Sequence, residues 1–152
     1  MPKLHEAVEI DAPAERVWAV VAEDVRNASS WATNLERVEQ LDHGPPGKGT
    51  RYRYHIKVPG GQTAKVAVEQ TGYTQAKKIS GKFIEGPLKG TWSYTFTPLK
   101  DGTTRLAYDM DYEMGGFLRF AGGLLAGQYA DGFRKNMESL KRYIESGKGR
   151  KH

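Results

Sequence analysis

Leu106-Ala107-Tyr108-Asp109-Met110-Asp111-Tyr112-Glu113-Met114 alternates large apolar or aromatic residues with small or acidic ones. Side chains on a strand point to opposite faces in turn. Leu106, Tyr108, Met110, Tyr112 and Met114 therefore share one face, and Asp109, Asp111 and Glu113 share the other. Two further stretches repeat the pattern: Tyr52, Tyr54 and Ile56 between Arg51, Arg53, His55 and Lys57, and Trp92, Tyr94 and Phe96 between serine and threonines. The reading predicts a sheet with one tyrosine-rich face. A buried tyrosine hydroxyl needs a hydrogen-bond partner, so a row of tyrosines fills a dry core poorly and lines a cavity for a mostly apolar guest well.

Outward from these strands, the same period predicts others at Leu35 to Leu41, Thr50 to Val58, Thr63 to Thr71, Ala76 to Ile84 and Gly90 to Pro98. They are punctuated by His43-Gly44-Pro45-Pro46-Gly47, Pro59-Gly60-Gly61, Glu85-Gly86-Pro87 and Asp101-Gly102, all turn-forming runs. Such short connections imply an antiparallel meander. Lys3 to Ile10 reads as a first strand. Pro13 then falls in the first turn of a helix from about Ala14 to Glu23, with Val17, Trp18, Val20 and Val21 on its apolar side. A second short helix is expected over Val25 to Trp31, with Asp24 as its N-cap.

The C-terminal part is helical. Tyr129, Phe133, Met137, Leu140 and Ile144 recur at steps of three and four and form one stripe, and Gly147 is a suitable stop. Before it, Gly115, Gly116, Gly122, Gly123 and Gly127 interrupt Phe117, Leu118, Phe120, Leu124 and Leu125. Each glycine weakens a helix by about 1 kcal/mol, so 115–127 is expected to be kinked or mobile.

At 152 residues, 38% hydrophobic and 27% charged, the chain has the size and composition of one globular domain. We expect a single domain over 1–147 and a flexible basic tail over 148–152. There is no cysteine, which removes disulfides, thiolate metal sites and cysteine nucleophiles. Met1 to Ile10 lacks the apolar run of a signal peptide, and Gly115 to Gly127 is too short to span a bilayer, so a cytoplasmic protein is expected. The formal net charge is +5. Arg51, Arg53, Lys57, Lys65, Lys78 and Lys82 contribute from expected outward positions, and Lys148, Arg150 and Lys151 from the tail. Such a surface can attract nucleic acid or anionic lipid, at most peripherally for a membrane. Nucleic acid is the weaker reading, because these residues are not interleaved with exposed aromatics.

Motifs for catalysis are sparse. His5, His43, His55 and His152 are scattered with no zinc-ligand spacing. Asp109, Asp111 and Glu113 lie on the face opposite the aromatic set, where solvent and neighbouring strands pair them. No Gly-x-Ser-x-Gly elbow surrounds Ser29, Ser30, Ser80 or Ser93, and Gly44, Gly47 and Gly49 lack the helix and Lys-Ser/Thr of a phosphate loop. No metal and no cofactor is expected. Arg119 is the one candidate for a charged group near the aromatic face, so acid–base chemistry has little to draw on.

The order of strand, two small helices, six strands and long helix resembles the START-like superfamily, also called the SRPBCC or polyketide cyclase/dehydrase group, with the Bet v 1-like fold. Val8-Glu9-Ile10-Asp11-Ala12-Pro13-Ala14-Glu15-Arg16-Val17-Trp18 is similar to the family's opening. Trp31 matches a tryptophan after its second small helix, without the proline-containing run usual around it. Asp101-Gly102-Thr103-Thr104-Arg105-Leu106 resembles its last hairpin, and Phe133 to Glu145, with Leu140-Lys141, its final helix. The resemblance covers nearly the whole chain.

It implies an α+β helix-grip fold, in which a curved antiparallel sheet of about seven strands wraps a long C-terminal helix and two short helices follow strand 1. It also implies a pocket between sheet and helix for a lipid, polyketide or aromatic metabolite. On that picture Tyr52, Tyr54, Phe83, Trp92, Tyr94, Tyr108, Met110 and Tyr112 face the helix. Leu118, Leu125, Tyr129 and Phe133 close the other side, and 115–127 forms the rim. A binding protein (carrier, sensor or biosynthetic accessory) is the leading reading. A polyketide aromatase, cyclase or dehydratase acting in the same pocket is the alternative. Oligomeric state is left open.

Overall fold

The structure, a computed structural model, describes residues 3–57, 63–86, 88–114 and 122–147, and for 88, 114 and 122–131 the backbone alone. Seven strands form one antiparallel sheet: β1 (Lys3–Ile10), β2 (Leu35–Gln40), β3 (Arg51–Lys57), β4 (Thr63–Thr74), β5 (Lys78–Glu85), β6 (Leu88–Pro98) and β7 (Thr104–Met114). Their order is β1-β7-β6-β5-β4-β3-β2. Six strands form the expected meander, and β1 closes it by pairing with β7 from Lys3 opposite Asp111 to Ile10 opposite Thr104. The connection from β1 to β2 carries α1 (Ala14–Trp18), a π turn (Ala19–Glu23) and a 3-10 turn (Val25–Ser30). The last element is α2 (Gly122–Glu145), packed on the curled sheet in a helix-grip α+β architecture.

Curvature has a local cause. β4 slips register against β5 between Ala67 and Val68 and again between Gln70 and Gly72. A bulge bends its strand and sharpens the local twist, which curls the sheet toward α2.

Several boundaries differ from the sequence reading. β4 runs on to Thr74, and the next strand starts at Lys78, because Ala76 adopts a left-handed φ of 58° in the turn between them. The first helix widens after one α turn into the π turn, and Pro13 precedes it as N-cap with extended backbone. Asp24 does not cap with its side chain; its carboxylate accepts the Asn27 amide at 2.7 Å. α2 reaches back to Gly122, so three of the glycines taken as interruptions lie inside a helix. Tertiary context overrides a propensity cost of this size. Residues 115–121, Pro59-Gly60-Gly61 and the tail 148–152 lie outside the described residues. Asp101-Gly102 turns as expected, with φ of 72° and 75°, and Gly147 ends α2 at φ 85°.

One end of the fold is packed solid. Ile10, Val17, Trp18, Leu106, Leu140 and Ile144 are essentially inaccessible to solvent. Trp18 meets Tyr73 and Phe96 edge-on, with ring centroids 4.8 and 5.2 Å away. Polar clamps hold this end. The Thr104 hydroxyl donates to the Ala12 carbonyl at 2.7 Å, and the Asp11 N–H donates to Glu145 at 2.8 Å. Lys141 donates to the Glu9 carbonyl at 3.0 Å and to Glu145 at 2.6 Å, and Arg16 donates to the Ile144 carbonyl. The C-terminal end of α2 is thereby fixed to the β1–α1 corner.

Candidate functional site

Moving along each element away from that corner, solid packing gives way to a cavity of about 140 Å³. On α2 the change falls between Leu140, fully buried, and Met137, Asn136 and Phe133, which line the cavity. On β7 it falls between Leu106 and the lining pair Tyr108 and Met110, and on β6 between Phe96 and the pair Tyr94 and Trp92. Tyr54 and Ile56 of β3, Val66 and Val68 of β4 and Phe83 of β5 continue the wall. Val21, Val25, Ala28, Trp31, Ala32, Asn34 and Leu35 close it from the β1–β2 connection.

Of the twelve residues expected to meet a ligand, Tyr54, Phe83, Trp92, Tyr94, Tyr108, Met110 and Phe133 line this cavity. Tyr52 and Tyr112 do not: they share the right face but are core residues, 1% and 2% exposed. Tyr52 lies toward the solid end, where Gln70, two residues beyond the cavity-lining Val68 on β4, is also buried. Leu125 and Tyr129 belong to α2, but their side chains, together with Leu118 and Arg119, lie outside the described residues.

The sequence reading passed over the contribution of the β1–β2 connection and of Val66, Val68, Asn136 and Met137. Val66 and Val68 carried a usable signal, the same alternation as Tyr52 and Tyr54 to which they pair. Asn136 carried none, since an asparagine beside a helical stripe reads as solvated.

The aromatic wall is continuous. Trp92 meets Tyr94 edge-on at 6.2 Å, Tyr94 tilts against Tyr108 at 4.6 Å, and Phe133 stacks on Tyr108 at 4.5 Å. Gly81 makes room for Trp92: a Cβ there would lie 2.4 Å from the indole. The Tyr108 hydroxyl donates to the Met110 sulfur at 3.6 Å. Tyr54 and Tyr94 differ. Each keeps accessible surface, yet burial pushes both hydroxyls far above the ordinary tyrosine value. In both, the accessible surface belongs to a residue of the cavity wall.

At the cavity's edge Asn136 joins α2 to the β1–β2 connection. Its side-chain oxygen accepts the Thr33 N–H at 2.9 Å and the Thr33 hydroxyl at 3.1 Å, and its nitrogen donates to Asn34 at 2.8 Å. The lining includes no charged side chain among the described residues.

Charges gather on the opposite face and pair there. Arg51 binds Asp42 at 2.9 Å, Arg53 binds Glu85 at 3.1 Å and His5 binds Asp109 at 2.5 Å. His55 points the same way but is buried, 5% exposed. It sits between Arg37 and Lys65 on the neighbouring strands, whose long stems can cover the ring, and it contacts Glu39. That contact holds the Glu39 carboxyl below its usual range. Among the described residues no cluster of histidine and carboxylates could hold a metal ion. No described helix is long and apolar enough to cross a membrane.

Residues 1–145 match the family described as polyketide cyclase/dehydrase and lipid transport. A comparison with curated proteins found no match. Among solved structures, TTHA0849 from Thermus thermophilus superposes with a TM-score of 0.81 at 19% identity, covering 96% of this chain and 99% of that one. A START superfamily protein from Mycobacterium smegmatis gives 0.68 at 19%, covering 91% and 98%. The Zhui aromatase/cyclase from Streptomyces sp. R1128 gives 0.68 at 20%, covering 97% and 98%. At these identities the likeness is one of fold.

Proposed function

Because the chain belongs to the polyketide cyclase/dehydrase and lipid transport family, and because a cavity opens between its sheet and helix, we propose that it binds a small, neutral, hydrophobic molecule inside the fold. It would serve as a carrier, sensor or accessory protein, and in the cytoplasm. The observation that carries this is the cavity's wall: aromatic and aliphatic side chains with a few tyrosine hydroxyls and asparagine amides, the composition of a small-molecule site. An ion placed there would lose its hydration without a counter-charge among the described residues, at a cost of several kcal/mol. A neutral guest has no such penalty.

Catalysis on a polyketide-like substrate is supported less well. A general base must lie within hydrogen-bond reach of the proton it takes, and the described lining offers tyrosine and asparagine but no carboxylate or imidazole.

The test is twofold. Organic extraction of the purified protein followed by mass spectrometry is expected to recover a neutral hydrophobic compound in stoichiometric amount. Toluene, followed by saturation-transfer NMR, is expected to bind the wild type and not Ala28→Leu, whose larger side chain enters the cavity. Toluene binding that survives this substitution unchanged, or no binding by the wild type, would sink the proposal.

A further inference from the structure

Asn34 stands just before β2 and lines the cavity. Its carbonyl accepts the Lys57 N–H at 2.8 Å, which ties its backbone to the end of β3, and its side chain reaches Asn136 on α2. The hydrogen bonds fix which way both amides point. The Thr33 backbone N–H can only donate, so the Asn136 atom it meets at 2.9 Å is the oxygen. The Asn136 nitrogen therefore faces Asn34 and donates at 2.8 Å, which obliges Asn34 to present its own oxygen there. What is left is the Asn34 Nδ2, a donor only. It has no hydrogen-bond partner among the described residues, yet it keeps accessible surface, unlike the sealed Tyr52 hydroxyl. The rest of the wall has the same bias. The indole N–H groups of Trp31 and Trp92 are buried without an acceptor among the described residues. The acceptors are in use: Asn136 Oδ1 takes both Thr33 donors, and the Met110 sulfur takes the Tyr108 hydroxyl.

We propose that the Asn34 side-chain nitrogen is the polar anchor of the cavity, donating to the carbonyl oxygen of a neutral aromatic ketone or ester. This rests on the ligand-binding reading above and narrows it to one residue and a chemical class. Asn34 is held at its backbone and at its side-chain oxygen, so little freedom is lost when its nitrogen engages a guest. A carbonyl oxygen accepts without bringing a hydrogen of its own. A hydroxyl would also accept, but it would add a donor to a wall whose amide and sulfur acceptors are taken. A carboxylate would bring a charge that the described lining does not balance. Size sets the remaining limit. A cavity of about 150 Å³ admits a benzene ring, and the present one is about 140 Å³, so one ring with a small carbonyl substituent fits. The edge-on and tilted rings of Trp92, Tyr94 and Tyr108 suit such a flat body.

The experiment uses two probes of similar shape, acetophenone and cumene, titrated by calorimetry into the wild type and Asn34→Asp. The substitution keeps the shape and an oxygen for the Asn136 nitrogen, and it replaces the free N–H donor with an acceptor. Acetophenone is expected to weaken about fivefold or more in the variant, the loss of at least one neutral hydrogen bond. Cumene is expected to change by less than about twofold, which also reports that the variant is folded. A second measurement needs no variant. In isotope-labelled wild type, a side-chain N–H proton of Asn34 should move downfield in NMR spectra when acetophenone is added and not when cumene is. If the two probes weaken alike in Asn34→Asp, or the Asn34 proton does not distinguish them, the carbonyl assignment is overturned while cavity binding stands. If neither probe binds the wild type, the ligand-binding reading falls and this one with it.

Discussion

A single oxygen of Asn136 holds Thr33 twice, accepting its backbone N–H at 2.9 Å and its hydroxyl at 3.1 Å. The other half of the amide donates to Asn34 at 2.8 Å. Asn136 is 7% exposed, so these bonds form largely out of water and join α2 to the chain leading into β2. Asn136→Ala removes all three and leaves the Thr33 N–H to find another partner. Unfolding free energy is expected to fall by about 1–3 kcal/mol, read from the urea midpoint at unchanged slope. Thr33→Ala, which loses one bond, should cost less. The double variant should cost less than the sum, because the two residues share an interaction. An Asn136→Ala midpoint equal to that of the wild type would remove this link from the account.

Gly81 and Trp92 are paired across β5 and β6, and the indole lies over the glycine. A Cβ at 81 would fall 2.4 Å from the ring and 2.6 Å from the Glu69 carbonyl oxygen. Both clashes must be relieved, so the ring has to move and the β4–β5 pairing has to give. Gly81→Ala is expected to destabilise by about 1–3 kcal/mol, the usual cost of overpacking. Trp92 is also cavity wall, so the variant should shift the tryptophan emission and weaken toluene in the same titration. A loss of stability with toluene affinity intact would separate the ring's position from the cavity's shape.

The legible part of the site was the part written locally. Tyr54, Trp92, Tyr94, Tyr108 and Met110 show their shared face through a period of two, which each strand enforces by itself. How far along a strand the cavity extends is not local. Tyr52 and Tyr112 have the same parity as their neighbours and are core, because curl and the docking of α2 decide where packing closes. His55 shows the reverse failure. Its parity is outward, yet it is buried, set between Arg37 and Lys65 on adjacent strands and in contact with Glu39, a fact of register rather than of sequence. Gly122, Gly123 and Gly127 read as breakers, and α2 runs through them.

Ionisation bounds the stable range on both sides. Arg51 beside Asp42, Lys141 beside Glu145 and His55 beside Glu39 hold these carboxyls below their ordinary values. Such groups stabilise the fold fully above the unfolded values of 3.8 and 4.5 and lose that contribution as pH falls through the lower folded values. Burial raises Tyr52 to about 12, and Tyr54 and Tyr94 higher still, from 10.0. Their contribution is full below pH 10 and is lost as pH rises through the folded values. Stability should therefore be flat between about pH 5 and pH 9 and fall beyond both limits. Glu145→Gln should shallow the acid limb. Absorbance at 295 nm should show tyrosines that do not ionise at pH 11 until the chain unfolds. Complete, reversible ionisation of all eight by pH 11 in the folded protein would contradict the burial of these three.

Two buried hydroxyls are expected to respond to deletion with opposite signs. Tyr52 is 1% exposed, and its hydroxyl is sealed without a hydrogen-bond partner among the described residues. Folding strips that group of water and returns nothing, so Tyr52→Phe should leave stability unchanged or raise it by about 1 kcal/mol. Thr104 is fully buried and donates to the Ala12 carbonyl at 2.7 Å, closing the corner between β1 and α1. Thr104→Val has nearly the same shape and leaves that carbonyl without its donor, so it should cost about 1–3 kcal/mol. Thermal and urea unfolding of the two variants side by side decide the matter. Equal losses would mean that the Tyr52 oxygen has a partner after all, with an internal water the natural candidate. Deuterium exchange at the Tyr52 hydroxyl, followed by NMR, would then find it protected.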